Sequence, residues 1–142
     1  MAIGELAALV TFIFAYRLFD LGNASLLSFS YLIFILLQGS LYWFYRYILI
    51  VNKRKVGLKV ISILKFVRLF NIFLLVMVGI TVPLVRSSMK DLIIALGMFL
   101  FGIIEYINYY WYRLSYGKSG FNIKILFNTK LKKSSINKLI TK

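Results

Sequence analysis

Apolar residues in this chain fall in long, nearly unbroken runs separated by short polar punctuation, not in the alternation of a strand or the one-sided stripe of a soluble helix. A helix crossing about 30 Å of hydrocarbon needs roughly 20 such residues at 1.5 Å each. Four runs reach or approach that length, at about 3–19, 26–51, 66–85 and 92–112. The pattern predicts an all-α polytopic membrane protein, with a four-transmembrane-helix bundle over residues 1–112 and a basic tail over 113–142. The first run is the weakest, because Glu5 and Arg17 trim its uninterrupted core to residues 6–16.

The punctuation supports these boundaries. Asp20-Leu21-Gly22-Asn23-Ala24-Ser25 carries Gly and Asn as helix stops and Ser25 as a cap for the second helix. Pro83 stands near the far end of the third run, where interrupting a helix costs least. Ser88 and Asp91 have capping-box spacing ahead of the fourth run. Val56, Val60, Ile63, Leu64 and Val67 form an apolar stripe, with Lys55, Lys59 and Ser62 away from it, which predicts an interfacial amphipathic segment leading into the third span. Gly97 and Gly102, with Ala95, offer a smooth surface for helix contact in the fourth.

Composition agrees with a membrane location. The chain is 61% hydrophobic and 15% charged, with a mean hydropathy of +0.86, against about a quarter charged in a soluble domain. The first residues carry no basic n-region, so no cleavable signal is expected. Richness in Ile, Lys, Asn and Tyr is that of a chain from an AT-rich, bacterial genome.

The net charge of +14 is explained by topology. Six Lys and Arg lie between Lys53 and Arg68, eight lie in the tail, and the opposite loops hold Arg17, Arg86 and Lys90. Fourteen against three places both basic segments, and with four spans both termini, on the cytoplasmic side of the cell membrane. Tyr42, Trp43, Tyr45 and Tyr47, and the run from Tyr106 to Tyr112, form an aromatic belt at that boundary. Lys53, Arg54, Lys55, Lys59, Lys130, Lys132 and Lys133 are candidate contacts for anionic lipid headgroups or a partner. No recognisable nucleic-acid module accompanies the charge, so membrane lipids, another copy, or a larger membrane complex are the expected partners.

Chemistry has few candidates. Cys and His are absent and there are four acids, so we expect no metal site, no cofactor and no enzymatic centre. Polar groups inside a bilayer are costly and need partners. Glu105, Asn108, Arg46, Tyr42, Asn71 and Arg68 are predicted to form an intramembrane cluster near the basic end, centred on an Arg46–Glu105 ion pair. The function expected from this pattern is a non-enzymatic membrane subunit or scaffold. The alternative is permeation or transport, as a homo-oligomeric channel, a membrane-disrupting effector or a small carrier.

The topology has a direct test. Cysteine introduced at Ser88 should react with an impermeant label from outside intact cells and cysteine at Ser134 should not; labelling of Ser134 would overturn the orientation.

Overall fold

A helix satisfies its peptide groups internally except at its ends, so in apolar surroundings the ends decide where the chain can turn. The computed structural model describes residues 7, 10–14, 22–114 and 132–141. Three of its helices are long and apolar enough to cross a membrane: α1 (Asn23–Val51), α2 (Leu58–Leu84) and α3 (Met89–Tyr110). They run about 44, 40 and 33 Å at the helical rise, and they point to a multi-pass membrane protein. A short α4 (Ser135–Ile140) follows. Among the described residues the one β feature is an isolated bridge between Tyr112 and Lys133. Most of the expected first helix lies outside the described residues; residues 10–14 are helical, and Phe12 meets Phe101 of α3 at 5.5 Å between ring centroids.

Two boundaries differ from the sequence pattern for local reasons. α2 begins at Leu58, not at 66, because no Gly or Pro breaks the chain between Leu58 and Val78. Val60, Ile63, Leu64 and Val67 of the expected stripe thus lie in the first part of a continuous helix, whereas Val56 precedes it and Ile63 is 59% exposed. α1 begins at Asn23 with Gly22 at the cap, so Ser25 stands at the third helical position instead of capping. At its other end α1 closes in a Schellman turn: the Arg54 N–H reaches the Leu49 carbonyl at 2.9 Å and the Lys53 N–H reaches Ile50 at 3.2 Å. That turn holds Lys53 at φ 51°, a left-handed conformation that usually falls to Gly.

The start of α1 is capped from another helix. Gly22 has no side chain to offer, and the Asp91 carboxylate of α3 accepts the N–H groups of Ala24 (3.2 Å) and Ser25 (2.9 Å) and the Ser25 hydroxyl. It also accepts the Ser87 N–H at 2.9 Å, while the Asp91 N–H donates to Ser88 Oγ at 3.1 Å, as the capping-box spacing predicts. One buried carboxylate therefore closes α1 and the turn between α2 and α3, while the Ser88 hydroxyl caps α3 itself. A Cβ on Gly22 would fall on that carboxylate, so only glycine admits the approach.

With their N-termini tied together, α1 and α3 run parallel and α2 runs antiparallel to both. The contact between α1 and α3 is built by exchanging rings for glycines. The Tyr109 ring of α3 covers Gly39, and the Tyr31 ring of α1 covers Gly102, where an added Cβ would lie 2.9 Å from the ring. Ala24, Ala95, Val78 and Val82 fill the Asp91 end beside Tyr31. Gly97 has no neighbour within 4 Å and faces away, so the smooth helix surface expected there comes from Gly102 and Ala95. The outward face of α2 is strongly apolar, with Leu58 85% and Leu84 77% exposed, as a lipid-facing helix requires.

α3 is the shortest of the three, and its C-terminus is covered by the tail. The Arg113 N–H bonds to the Lys132 carbonyl at 2.9 Å, and the Ser134 N–H bonds to the Trp111 carbonyl at 3.0 Å. Ser134 then caps α4 through the Asn137 N–H, and Asn137 Nδ2 returns to the Trp111 carbonyl, also at 3.0 Å. Ile136 is 2% exposed within the core at this end. Leu139 and Ile140 pack on that core together with Leu64 and Val67 of the amphipathic stripe. Because Ser134 is buried, the exposed Thr141 is the better position for accessibility labelling at this end.

Asp91 should therefore govern stability out of proportion to its size. Asp91→Ala leaves the Ala24, Ser25 and Ser87 N–H groups without their acceptor and is expected to cost about 2–3 kcal/mol. Asn restores one acceptor and should recover less than half. Thermal unfolding in lipid or mild detergent measures this, and wild-type stability in Asp91→Ala would refute the shared cap.

Candidate functional site

The polar side chains expected to form one cluster take part in several local groups, two of which meet where the Tyr106 and Tyr110 rings lie 5.4 Å apart. The most buried joins all three long helices. Asn71 is 0% exposed and is the middle residue of α2, because that helix starts earlier than its hydropathy suggests. Its Nδ2 donates to Gln38 Oε1 of α1 at 2.7 Å and to the Val67 carbonyl at 2.8 Å, using both amide hydrogens. Gln38 Nε2 returns to Asn71 Oδ1 at 3.5 Å. The second lone pair of Gln38 Oε1 accepts the Tyr110 hydroxyl of α3 at 2.8 Å. Tyr110 reaches so far up the bundle because helical side chains lean toward the N-terminus.

A second group surrounds the end of α3. The Arg68 guanidinium stacks over the Trp111 ring, 3.8 Å from its centroid, a cation–π contact that gains strength when partly desolvated. Trp111 Nε1 donates to the Tyr106 hydroxyl at 3.3 Å, and that hydroxyl donates to the Arg68 carbonyl at 3.4 Å. Trp111 thus holds α2 through its ring and the tail through its carbonyl.

Arg46 donates to Tyr42, one turn back on α1, at 3.3 Å. Asn108 Nδ2 donates to Glu105, one turn back on α3, at 3.3 Å, and Asn108 Oδ1 accepts the Leu114 N–H at 2.9 Å.

The aromatic belt needs correction. Tyr42, Tyr106, Tyr109 and Tyr110 are buried in the core, leaving Trp43 and Tyr45 half-buried and Tyr47, Trp111 and Tyr112 exposed at this end. Of the basic candidates, Lys53, Arg54, Lys55 and Lys59 are exposed at the turn and the start of α2, and Lys132 and Lys133 are exposed beside α3; Lys130 lies outside the described residues. Gln38, Tyr110, Tyr106 and Trp111 were not among the sequence candidates for the polar cluster. Gln38 has a signal, as an amide in the interior of a long apolar run. For the others the ambiguity is inherent, since a ring with a polar tip suits an interface as well as a core.

An open groove of about 360 Å³ between α1 and α2 is lined almost wholly by apolar atoms, chiefly from Leu27, Tyr31 and Phe34 facing Phe70, Leu74 and Val78. Among the described residues, the hydroxyls of Ser28 and Tyr31 are buried without a hydrogen-bond partner. Comparison with protein-family models, with characterised proteins and with solved structures yields no significant match to this chain.

The three-helix network should behave as a coupled unit. Gln38→Leu and Tyr110→Phe are each expected to destabilise the bundle, with a coupling of about 0.6–1.7 kcal/mol in a double-mutant cycle. Additivity of the two changes would show that the hydroxyl–amide contact carries no stability.

Proposed function

We propose that this protein is a non-enzymatic membrane subunit or scaffold with its basic end at the cytoplasmic face of the cell membrane, the N-terminal run supplying a fourth span. The observation that carries this reading is the Gln38–Asn71–Tyr110 network. Its carboxamides spend their strongest hydrogen bonds on each other and on the backbone, across three helices. Groups so paired serve to lock helices together rather than to line a path for a solute. The apolar groove supports the same reading.

At the basic end, eleven described Lys and Arg face one described acid, Glu105. A surface so charged attracts anionic headgroups and acidic partners. The amphipathic start of α2 contributes Lys59 and Lys65 to it, both exposed.

Reconstitution discriminates this from permeation. Purified protein in liposomes should raise proton and potassium flux no higher than empty vesicles, and in nanodiscs it should be a monomer or small oligomer without an axial polar ring. Flux that scales with protein and is abolished by Gln38→Leu would replace the scaffold reading with a channel.

A further inference from the structure

The basic residues at this end are not equivalent, and the difference lies in how the backbone holds them. Lys53, Arg54 and Lys55 extend from a turn between helices. Lys132 and Lys133 belong to a segment paired with the end of α3: the Lys132 carbonyl accepts from Arg113 and Lys133 bridges to Tyr112. That segment is pinned by Ser134 and Asn137 on the Trp111 carbonyl and by Ile136 in the core. On its ring, the same Trp111 holds the Arg68 guanidinium. One aromatic residue, itself 36% exposed, therefore holds an α2 cation on its ring and the tail on its carbonyl.

We propose that the docked tail completes a binding site for the headgroup phosphate of an anionic phospholipid, formed by Arg68, Lys132 and Lys133 around Trp111 and Tyr112. This rests on the reading that the basic end lies at a membrane face. Charge complementarity selects the ligand: Arg68, Arg113, Lys132 and Lys133 belong to the segments joined here, and Glu105 is the only described acid at this end. Exposed Trp and Tyr beside cations are the side chains that settle at headgroup level. A guanidinium already fixed on an aromatic face loses less freedom on binding phosphate than a mobile one does. Lysines on paired backbone gain in the same way. The site thus depends on the fold of the tail, whereas non-specific attraction depends only on the number of charges.

That distinction is measurable on the full chain by native mass spectrometry, counting phosphatidylglycerol retained against phosphatidylcholine from mixed nanodiscs. Lys132→Gln with Lys133→Gln should lower selective retention about tenfold, while Lys53→Gln with Arg54→Gln, removing the same charge elsewhere, should change it less than twofold. Ile136→Ser with Asn137→Ala keeps every cation but undocks α4, and should lose retention as fully as the tail lysine pair. Asn137→Ala alone provides a milder variant, with helical circular dichroism verifying the bundle in each case. Inorganic phosphate should not displace the lipid. Equal loss from both lysine pairs, or full retention after undocking, would overturn the site in favour of bulk charge. Displacement by phosphate would overturn the lipid assignment. External labelling of Thr141→Cys with intact selectivity would defeat the orientation but leave this site standing.

Discussion

The fold depends on one carboxylate serving two helices. α1 starts at a glycine and has no acid in its first turn, so its first N–H groups have no acceptor of their own. In water the solvent would take them. Beside a membrane core an unsatisfied donor is costly, and the acceptor has to come from elsewhere in the protein. Asp91 supplies it while occupying the third position of α3, where a negative charge also suits the positive end of that helix's own dipole. Joining two helix starts at one atom group aligns them in parallel and sets their register. The rest of the bundle inherits that register: Tyr31 meets Gly102, Tyr109 meets Gly39, and Tyr110 comes within reach of Gln38.

The opposite end has the converse difficulty. The last carbonyls of α3 emerge where α1 and α2 still continue, and they too need partners. The tail solves both problems in one stretch. Its backbone pairs with Tyr112 and Arg113, Asn137 and Ser134 serve the Trp111 carbonyl, and Ile136 fills the space against Leu64 and Val67. The apolar stripe at the start of α2 finds part of its burial here, under the chain's own C-terminal helix.

What was legible in the sequence is what depends on neighbours along the chain. Helix length follows from uninterrupted hydrophobicity, and the Ser88–Asp91 box follows from spacing of three. The role of Asp91 at α1 was not legible, because it joins residues 66 apart and relies on the absence of a Cβ at Gly22. The same applies to the tyrosines. Whether Tyr109 sits in a belt or in the core is decided by Gly39 on another helix, and nothing around Tyr109 records that. Asn71 was placed near a helix end because Lys and Arg precede it; continuous helical backbone through those cations puts it at mid-helix, where its amide needs Gln38.

Charge illustrates the limit most clearly. Counting Lys and Arg weighs every cation alike, which suits a rule about which side of a membrane a loop occupies. Binding does not weigh them alike, because the entropy of ordering a long side chain opposes each contact it makes. Lys53 projects from a turn strained by its own φ. Lys133 extends from backbone already held by Tyr112, and Arg68 from a stacked position on Trp111. Part of the ordering of these last two is done by folding, before any ligand arrives. Residues of one type and one charge thus divide into those that leave a turn freely and those that the fold has positioned, and the proposed headgroup site draws on the second kind.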